Sequence, residues 1–277
     1  MTNGSKILDQ FSLRGKVIVV TGGTGVLGES FIGAIAEAGG DVAVLGRNKE
    51  AAEERVKRAE KLGVKAAAVL ADVMNETEVV RARNEILERF GTIDGLVNAA
   101  GGNIPGATIG PDRDLFASEV SDTIKAIELN LFGTIIPTHI FGKVMAEKRC
   151  GSIVNISSLA ASQAVTRMLG YTVAKHGISG YTKWMGTELS LRYGDKVRVN
   201  AIAPGVFLTN QNRALLTNSD GTFTPRAQKW ISGTPFSRLG DPKELQGALV
   251  FLLSDASSFV NGETIFADGG FNAWCGV

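Results

Sequence analysis

The chain has 277 residues, 44% of them hydrophobic, with 29 Lys and Arg against 28 Asp and Glu and a net charge of +1. That is enough apolar material for one sizeable core, and the evenly mixed charges offer no basic patch for nucleic acid or an anionic membrane. Two distant cysteines, Cys150 and Cys275, and two histidines match no metal-ligand spacing, so no metal site and a reduced compartment are expected. The polar stretch 1–13 reads as neither a signal peptide nor a membrane span, which makes a soluble cytoplasmic protein the expectation.

In chain order, residues 16–20 form a short β-branched run ended by Thr21, Gly22, Gly23, Thr24 and Gly25. Leu27, Phe31, Ile35 and Ala38 then recur at helical spacing until Gly39 and Gly40 stop the pattern. Strand, glycine turn and helix form the context in which such a motif brings backbone close to a pyrophosphate, which then rests on the helix N-terminus. The alternation continues with strand 41–45, helix 49–62, strand 65–70, helix 75–90 and strand 93–97, the last followed by Asn98, Ala99, Ala100 and Gly101. A helical stretch over 115–148 is broken near Ser121 or Gly133; strand 152–156, helix 171–191 and strand 196–202 follow, closed by Pro204 and Gly205. After the polar segment 206–238 come helix 242–253 and a last strand, 264–267. Without repeats or linkers, this pattern predicts an α/β fold over 1–277: a single-domain, Rossmann-type, doubly wound parallel sheet of about seven strands, with helices on both faces.

In such sheets ligands bind beyond the carboxyl ends of the strands, so Thr21, Asn98, Ser158 and Pro204, each after a strand, converge on one site. The segment 206–238 is long for a connection and is expected to be a substrate loop or lid. Tyr171 and Lys175 lie four residues apart and share one helix face. A cation beside a phenol favours the phenolate, which suits Tyr171 to exchange a proton with a substrate oxygen, and Ser158 is expected to reach the same atom.

With these residues aligned, the sequence resembles the short-chain dehydrogenase/reductase family from about residue 13 to 271. Thr21, Gly22 and Gly28 are similar to its cofactor turn, with Gly23, Thr24, Gly25 and Leu27 inside it. The turn departs from the family at Val26, where a Gly or Ala is usual and Gly25 comes one position early. The resemblance assigns Asp72 and Val73 to the adenine, the run Asn98 to Gly101 to the family's NNAG-type motif, and Pro204, Gly205 and Thr209 to the nicotinamide. It makes Asn130, Ser158, Tyr171 and Lys175 the catalytic residues of a hydride transfer at a secondary alcohol or its ketone. Tyr171 is then the acid/base, Lys175 lowers its pKa and holds the cofactor ribose, Ser158 binds the reacting oxygen, and Asn130 anchors a water. A homotetramer is also implied. The apolar tail Phe271, Ala273, Trp274 and Val277 suits either a subunit interface or a cover over its own site.

The segment Val44 to Asn48 carries no carboxylate after the second strand and places Arg47 in reach of a ribose phosphate. This favours NADP over NAD. For substrate, Arg167 and Arg213 form a candidate carboxylate fork, and Asn103, Asn210, Gln211 and Asn212 are candidate hydroxyl ligands. The runs 208–216 and 234–238 and the C-terminal tail resemble a bacterial D-mannonate oxidoreductase (fructuronate reductase) subgroup, which implies interconversion of D-mannonate and D-fructuronate. Gluconate or other sugar dehydrogenases and 3-oxoacyl reductases of the same family are the alternatives. A dinucleotide-binding regulator without turnover is the reading from another class, and the intact set Asn130, Ser158, Tyr171 and Lys175 argues against it.

Overall fold

β-Branched and other apolar runs form the strands of the computed structural model, and the segments with helical apolar spacing cover both faces of the sheet they build. The structure describes residues 6–209 and 212–276. The seven strands are β1 (Val17–Thr21), β2 (Asp41–Gly46), β3 (Ala66–Leu70), β4 (Gly95–Asn98), β5 (Gly151–Ile156), β6 (Val197–Pro204) and β7 (Thr264–Ala267). They are all parallel, in the order β3-β2-β1-β4-β5-β6-β7. The order reverses between β1 and β4, and the crevice that opens there is where such sheets take their ligands.

The helices are α1 (Val26–Glu37), α2 (Lys49–Glu60), α3 (Glu76–Phe90), α4 (Val120–Ile127), α5 (Gly133–Glu147), α6 (Leu169–Tyr193), α7 (Arg213–Leu216), α8 (Pro225–Ser232) and α9 (Gln246–Leu253). Side chains of α1, α2 and α9, among them Phe31, Ile35 and Leu249, form one buried layer against the sheet. Those of α3, α5 and α6, among them Ile86, Phe141 and Met185, form the other. Burying a side chain of this size stabilises the fold by about 1.5–3 kcal/mol. Helix ends follow the local chemistry: Asn48 and Asn75 cap α2 and α3 by accepting from Ala51 and Glu78 N–H, and Gly91 closes α3 at φ 79°.

The expected break near Gly133 is present, and two features of the structure bear on function. The helical stretch before β5 is interrupted by a π turn, Glu128–Phe132, immediately before Gly133. Pro137, which cannot donate to the carbonyl four residues earlier, sits within the following helix. The segment 206–238 contains two short helices, α7 and α8, with bridges between Phe207 and Gly240 and between Thr217 and Phe223.

Candidate active site

A cavity of about 760 Å³ runs along the carboxyl ends of the strands, from Arg47 and Asp72 at one end to Arg226 and Trp230 at the other. Its floor is the turn after β1. Gly22 has φ 64°, and a Cβ there would stand 2.7 Å from both Ala99 O and Ala100 N. A Cβ at Gly28 would stand 2.3 Å from Gly22 O. Only glycine allows the turn to close this tightly. Gly25, at the N-cap of α1, has no side chain to occupy the first helical N–H groups, and Val26, Leu27 and Gly28 line the cavity. Free helix N–H groups and a glycine floor fit the pyrophosphate of a dinucleotide.

Some of the residues expected to touch the cofactor instead build the wall behind it. The Thr21 hydroxyl accepts from Ala99 N–H at 3.2 Å and Ala100 N–H at 3.3 Å, tying the β1 turn to the segment after β4. Asn98 is buried, and its Nδ2 donates to Thr138 Oγ1 at 2.8 Å and Asn155 Oδ1 at 2.9 Å. Gly23 packs toward Val44, and Asn48 is used as the cap of α2. These four do not line the cavity: Thr21, Gly23 and Asn48 serve the scaffold, and Asn98 gives it both amide hydrogens while its buried Oδ1 has no partner among the described residues. Thr24, Gly25, Leu27, Gly28, Ala99, Ala100, Gly101, Asp72, Val73, Pro204, Gly205 and Thr209 do line the cavity. Arg47 also lines it, but its Nη1 lies 3.6 Å from Asp72 Oδ2, so the cation already has an acidic neighbour.

The chemistry lies midway along the cavity. Ser158, two residues after β5, accepts from Ala160 N–H at 3.1 Å, which fixes its hydroxyl, and lines the cavity together with Tyr171. Lys175 follows one helical turn after Tyr171 on α6, is buried, and donates from Nζ to Ile156 O at 2.8 Å. Burial without a carboxylate lowers its pKa from 10.5 to about 8. Burial raises the pKa of Tyr171, and the Ser158 hydrogen bond opposes that shift. The expected lowering by Lys175 is not found: burial is the larger cause, and the opposing one is the Ser158 hydroxyl.

Asn130 lies in the π turn, fully buried. Its Nδ2 donates to Gly102 O at 2.8 Å and Ala126 O at 2.9 Å, and its Oδ1 accepts from Gly102 N–H at 2.9 Å. A Cβ at Gly101 would lie 2.7 Å from Asn130 Oδ1 and 3.9 Å from Lys175 Nζ, so both side chains converge on that backbone. Single π turns in α-helices recur at functional sites, where they turn a side chain out of the regular helical register.

The substrate end is where sequence reasoning fell short. Asn103 lines the cavity as expected. Asn212 lines it too, but its amide donates to Phe207 O at 2.7 Å and accepts from Thr209 N–H at 2.8 Å, clasping the start of the segment 206–238. Arg213 is exposed on α7 outside the cavity lining, and Arg167 lies beside the cavity with φ 76°. The expected fork of Arg167 and Arg213 is therefore not formed; Asn210 and Gln211 lie outside the described residues. The cavity-lining cation here is Arg226, joined by Trp230, Val165, Met168, Leu215 and Leu216. The signal for it was present: Thr224 and Pro225 are an N-cap and N1 pair, and helical spacing then puts Arg226 and Trp230 on one face.

A short-chain dehydrogenase family model, described as enoyl-(acyl carrier protein) reductase, matches residues 26–272. The chain belongs to the short-chain dehydrogenase/reductase family. An oxidoreductase named UxuB from Bacillus subtilis, itself uncharacterised, is 39% identical over 275 residues, covering 96% of this chain and 98% of the relative. A crystal structure of a provisionally named D-mannonate oxidoreductase from Haemophilus influenza, with bound NAD, superposes with a TM-score of 0.91 at 37% identity, covering 98% of this chain and 100% of the other. A gluconate 5-dehydrogenase from Burkholderia cenocepacia, in complex with NADP and tartrate, gives a TM-score of 0.84 at 33% identity, covering 97% and 100%. The protein is an NAD(P)-dependent oxidoreductase of the short-chain family acting on a CH–OH group, and it is related to sugar-acid dehydrogenases. Among the described residues no helix is long and apolar enough to cross a membrane.

Proposed function

We propose that the protein interconverts the ketone and the secondary alcohol of a sugar acid, with D-fructuronate and D-mannonate as the pair. The observation that carries the reaction is that Ser158, Tyr171 and buried Lys175 line one cavity, the ammonium 5.4 Å from the tyrosine ring, with a dinucleotide cradle at one end. The choice of sugar acid is supported by the likeness to the Haemophilus protein, and the likeness to the Burkholderia enzyme supports gluconate oxidation as the second reading.

The bound dinucleotide supplies or accepts the hydride. The protein's own residues orient the substrate and move the proton. Ser158, with its hydroxyl fixed by Ala160 N–H, donates a hydrogen bond to the reacting oxygen, and Tyr171 delivers its proton to that oxygen during reduction. Lys175 uses one N–H on Ile156 O and keeps two for ribose hydroxyls. Asn130 holds the Gly101–Gly102 backbone over this corner and anchors a water that relays protons from Lys175. The lid, residues 206–238, covers the substrate. Exposed Phe116, Val120 and Ile124 with Leu169, Val173 and Trp184 suit subunit contacts in a homotetramer, which gel filtration with light scattering would test.

The test is oxidation of NADH and of NADPH with D-fructuronate, beside the same assay with 5-keto-D-gluconate. Rapid turnover of fructuronate supports the reading. Turnover of the keto-gluconate alone selects the second reading, and silence with both, on protein that binds dinucleotide, overturns both.

A further inference from the structure

We propose that Arg226, reinforced by Arg167, is the receptor for the carboxylate of the substrate. The proposal deepens the sugar-acid reading above and rests on it for the identity of the ligand, though not for the existence of an anion site.

The cavity is lined by three cations among the described residues, Arg47, Lys175 and Arg226. Arg47 lies at the far end beside Asp72, the one carboxylate among the lining residues. Lys175 lies at the reactive corner, with one N–H on Ile156 O and the other two facing the place of the cofactor ribose in the reading above. Arg226 is the cation at the substrate end, and among the described residues it has no acidic partner. Its recorded hydrogen bond, from Nη2 to Thr166 O, is long at 3.4 Å and leaves most of the guanidinium donors unused.

Arg167 makes the arrangement more unusual. It too lacks an acidic partner among the described residues, and its charge acts on Arg226 in the same direction as burial, disfavouring the protonated guanidinium. Arg226 reaches the carbonyl of Thr166, the residue before Arg167, and like charges gathered at one end of the cavity are unfavourable unless an anion joins them. The backbone holds them there: Arg167 O accepts from Ile109 N–H at 2.9 Å, with φ 76°. Arg226 is held by the cap of Thr224 on α8 and by its own contact with Thr166. Because Arg167 follows the Ser158 loop and Arg226 sits on the lid, a carboxylate between them would bind lid to catalytic loop. A planar guanidinium is suited to such an anion, since its fork donates two parallel hydrogen bonds to a carboxylate.

The experiment is calorimetric binding to the NADH-loaded protein, where an alcohol ligand binds without turnover. The ligands are D-mannonate and D-gluconate, each beside its uncharged polyol, D-mannitol and D-sorbitol. We expect the wild-type protein to favour at least one acid over its polyol by about tenfold or more. Arg226→Met should weaken that acid by about a hundredfold with NADH affinity retained, and Arg226→Lys should recover part of it. Arg167→Asn, a residue that tolerates the left-handed backbone, should weaken it by several-fold, about fivefold. Equal binding of the acid by wild type and Arg226→Met, or no preference for either acid over its polyol, overturns the proposal. Arg226-dependent binding of gluconate in a protein that turns over no fructuronate keeps the anion receptor and removes only the choice of sugar acid.

Discussion

Lys175 carries its ammonium 5.4 Å from the centre of the Tyr171 ring, with a backbone carbonyl, Ile156 O, as its recorded hydrogen-bond partner. The two ionisable groups of the site are shifted in opposite directions by the same cause. Burial penalises whichever form is charged, so the lysine loses its proton more easily and the tyrosine less easily than in water.

The lysine shift has a consequence for stability. Its folded pKa of about 8 lies below the ordinary 10.5, so between those values the unfolded chain holds more protons. Stability therefore rises with pH across that window, and the cost of the buried ammonium, about 3 kcal/mol, is fully present below it. Urea unfolding at a series of pH values should show this rise in the wild type and lose it in Lys175→Met. Parallel pH curves for the two proteins would sink the assignment.

Tyr171 sets the pH dependence of the reaction. Ketone reduction needs the protonated hydroxyl, which burial preserves to higher pH than in a free tyrosine, while alcohol oxidation, which needs the phenolate, should climb with pH. Tyr171→Phe should lower kcat by about a thousandfold in both directions and leave dinucleotide affinity within about twofold. A variant that kept turnover would point to a different proton donor, and one that lost dinucleotide binding would place the tyrosine in the cofactor site instead.

The Arg47–Asp72 contact is exposed and its N···O distance is 3.6 Å, so a ribose phosphate can take the guanidinium from the carboxylate at little cost. Arg47→Ala should raise the Kd for NADPH by about tenfold and change that for NADH by about twofold or less. Fluorescence titration of both nucleotides measures it; equal changes for the two would show that Arg47 does not read the phosphate.

Gly28→Ala places a Cβ 2.3 Å from Gly22 O, in a backbone-to-backbone contact that has no side chain to yield. Loss of about 1–3 kcal/mol of stability is expected, together with weakened dinucleotide binding, because the turn and the helix N-terminus must move apart. Thermal melts with and without NADH test both halves. An unchanged melting temperature and unchanged affinity would mean the turn is not closed as described.

The C-terminal tail packs against the segment 206–238 of its own chain. The Phe271 ring lies 5.2 Å from Trp230, which lines the cavity, and Asn272 Oδ1 accepts from Ser162 Oγ at 2.6 Å. Removing an aromatic partner of this kind costs about 0.5–1.5 kcal/mol beyond its buried area. Phe271→Ala should accordingly raise KM for the sugar acid by about three- to tenfold with dinucleotide affinity kept. A matching loss of both affinities would indicate general unfolding instead of a loosened lid.

The sequence by itself determined the alternation of strands and helices, and with it the parallel sheet and the edge of the sheet where the site lies. Apolar β-branched runs and helical spacing are local, and a glycine turn that follows a strand and opens a helix gains its meaning from that context. Helix spacing and a strand end brought Tyr171, Lys175 and Ser158 together, and the family resemblance assigned their roles. What the tertiary structure decided depends on groups distant in the chain. Asn98 reads like a cofactor contact until Thr138 and Asn155 are seen to take its amide donors. Arg47 reads as a free cation until Asp72, brought over from the end of β3, lies beside it. The fork expected from Arg167 and Arg213 gave way to Arg226 because α8, and not α7, turns a guanidinium into the cavity. The sign of the Tyr171 shift was also beyond the sequence, because spacing reports a neighbouring charge and only packing reports how much water remains around it.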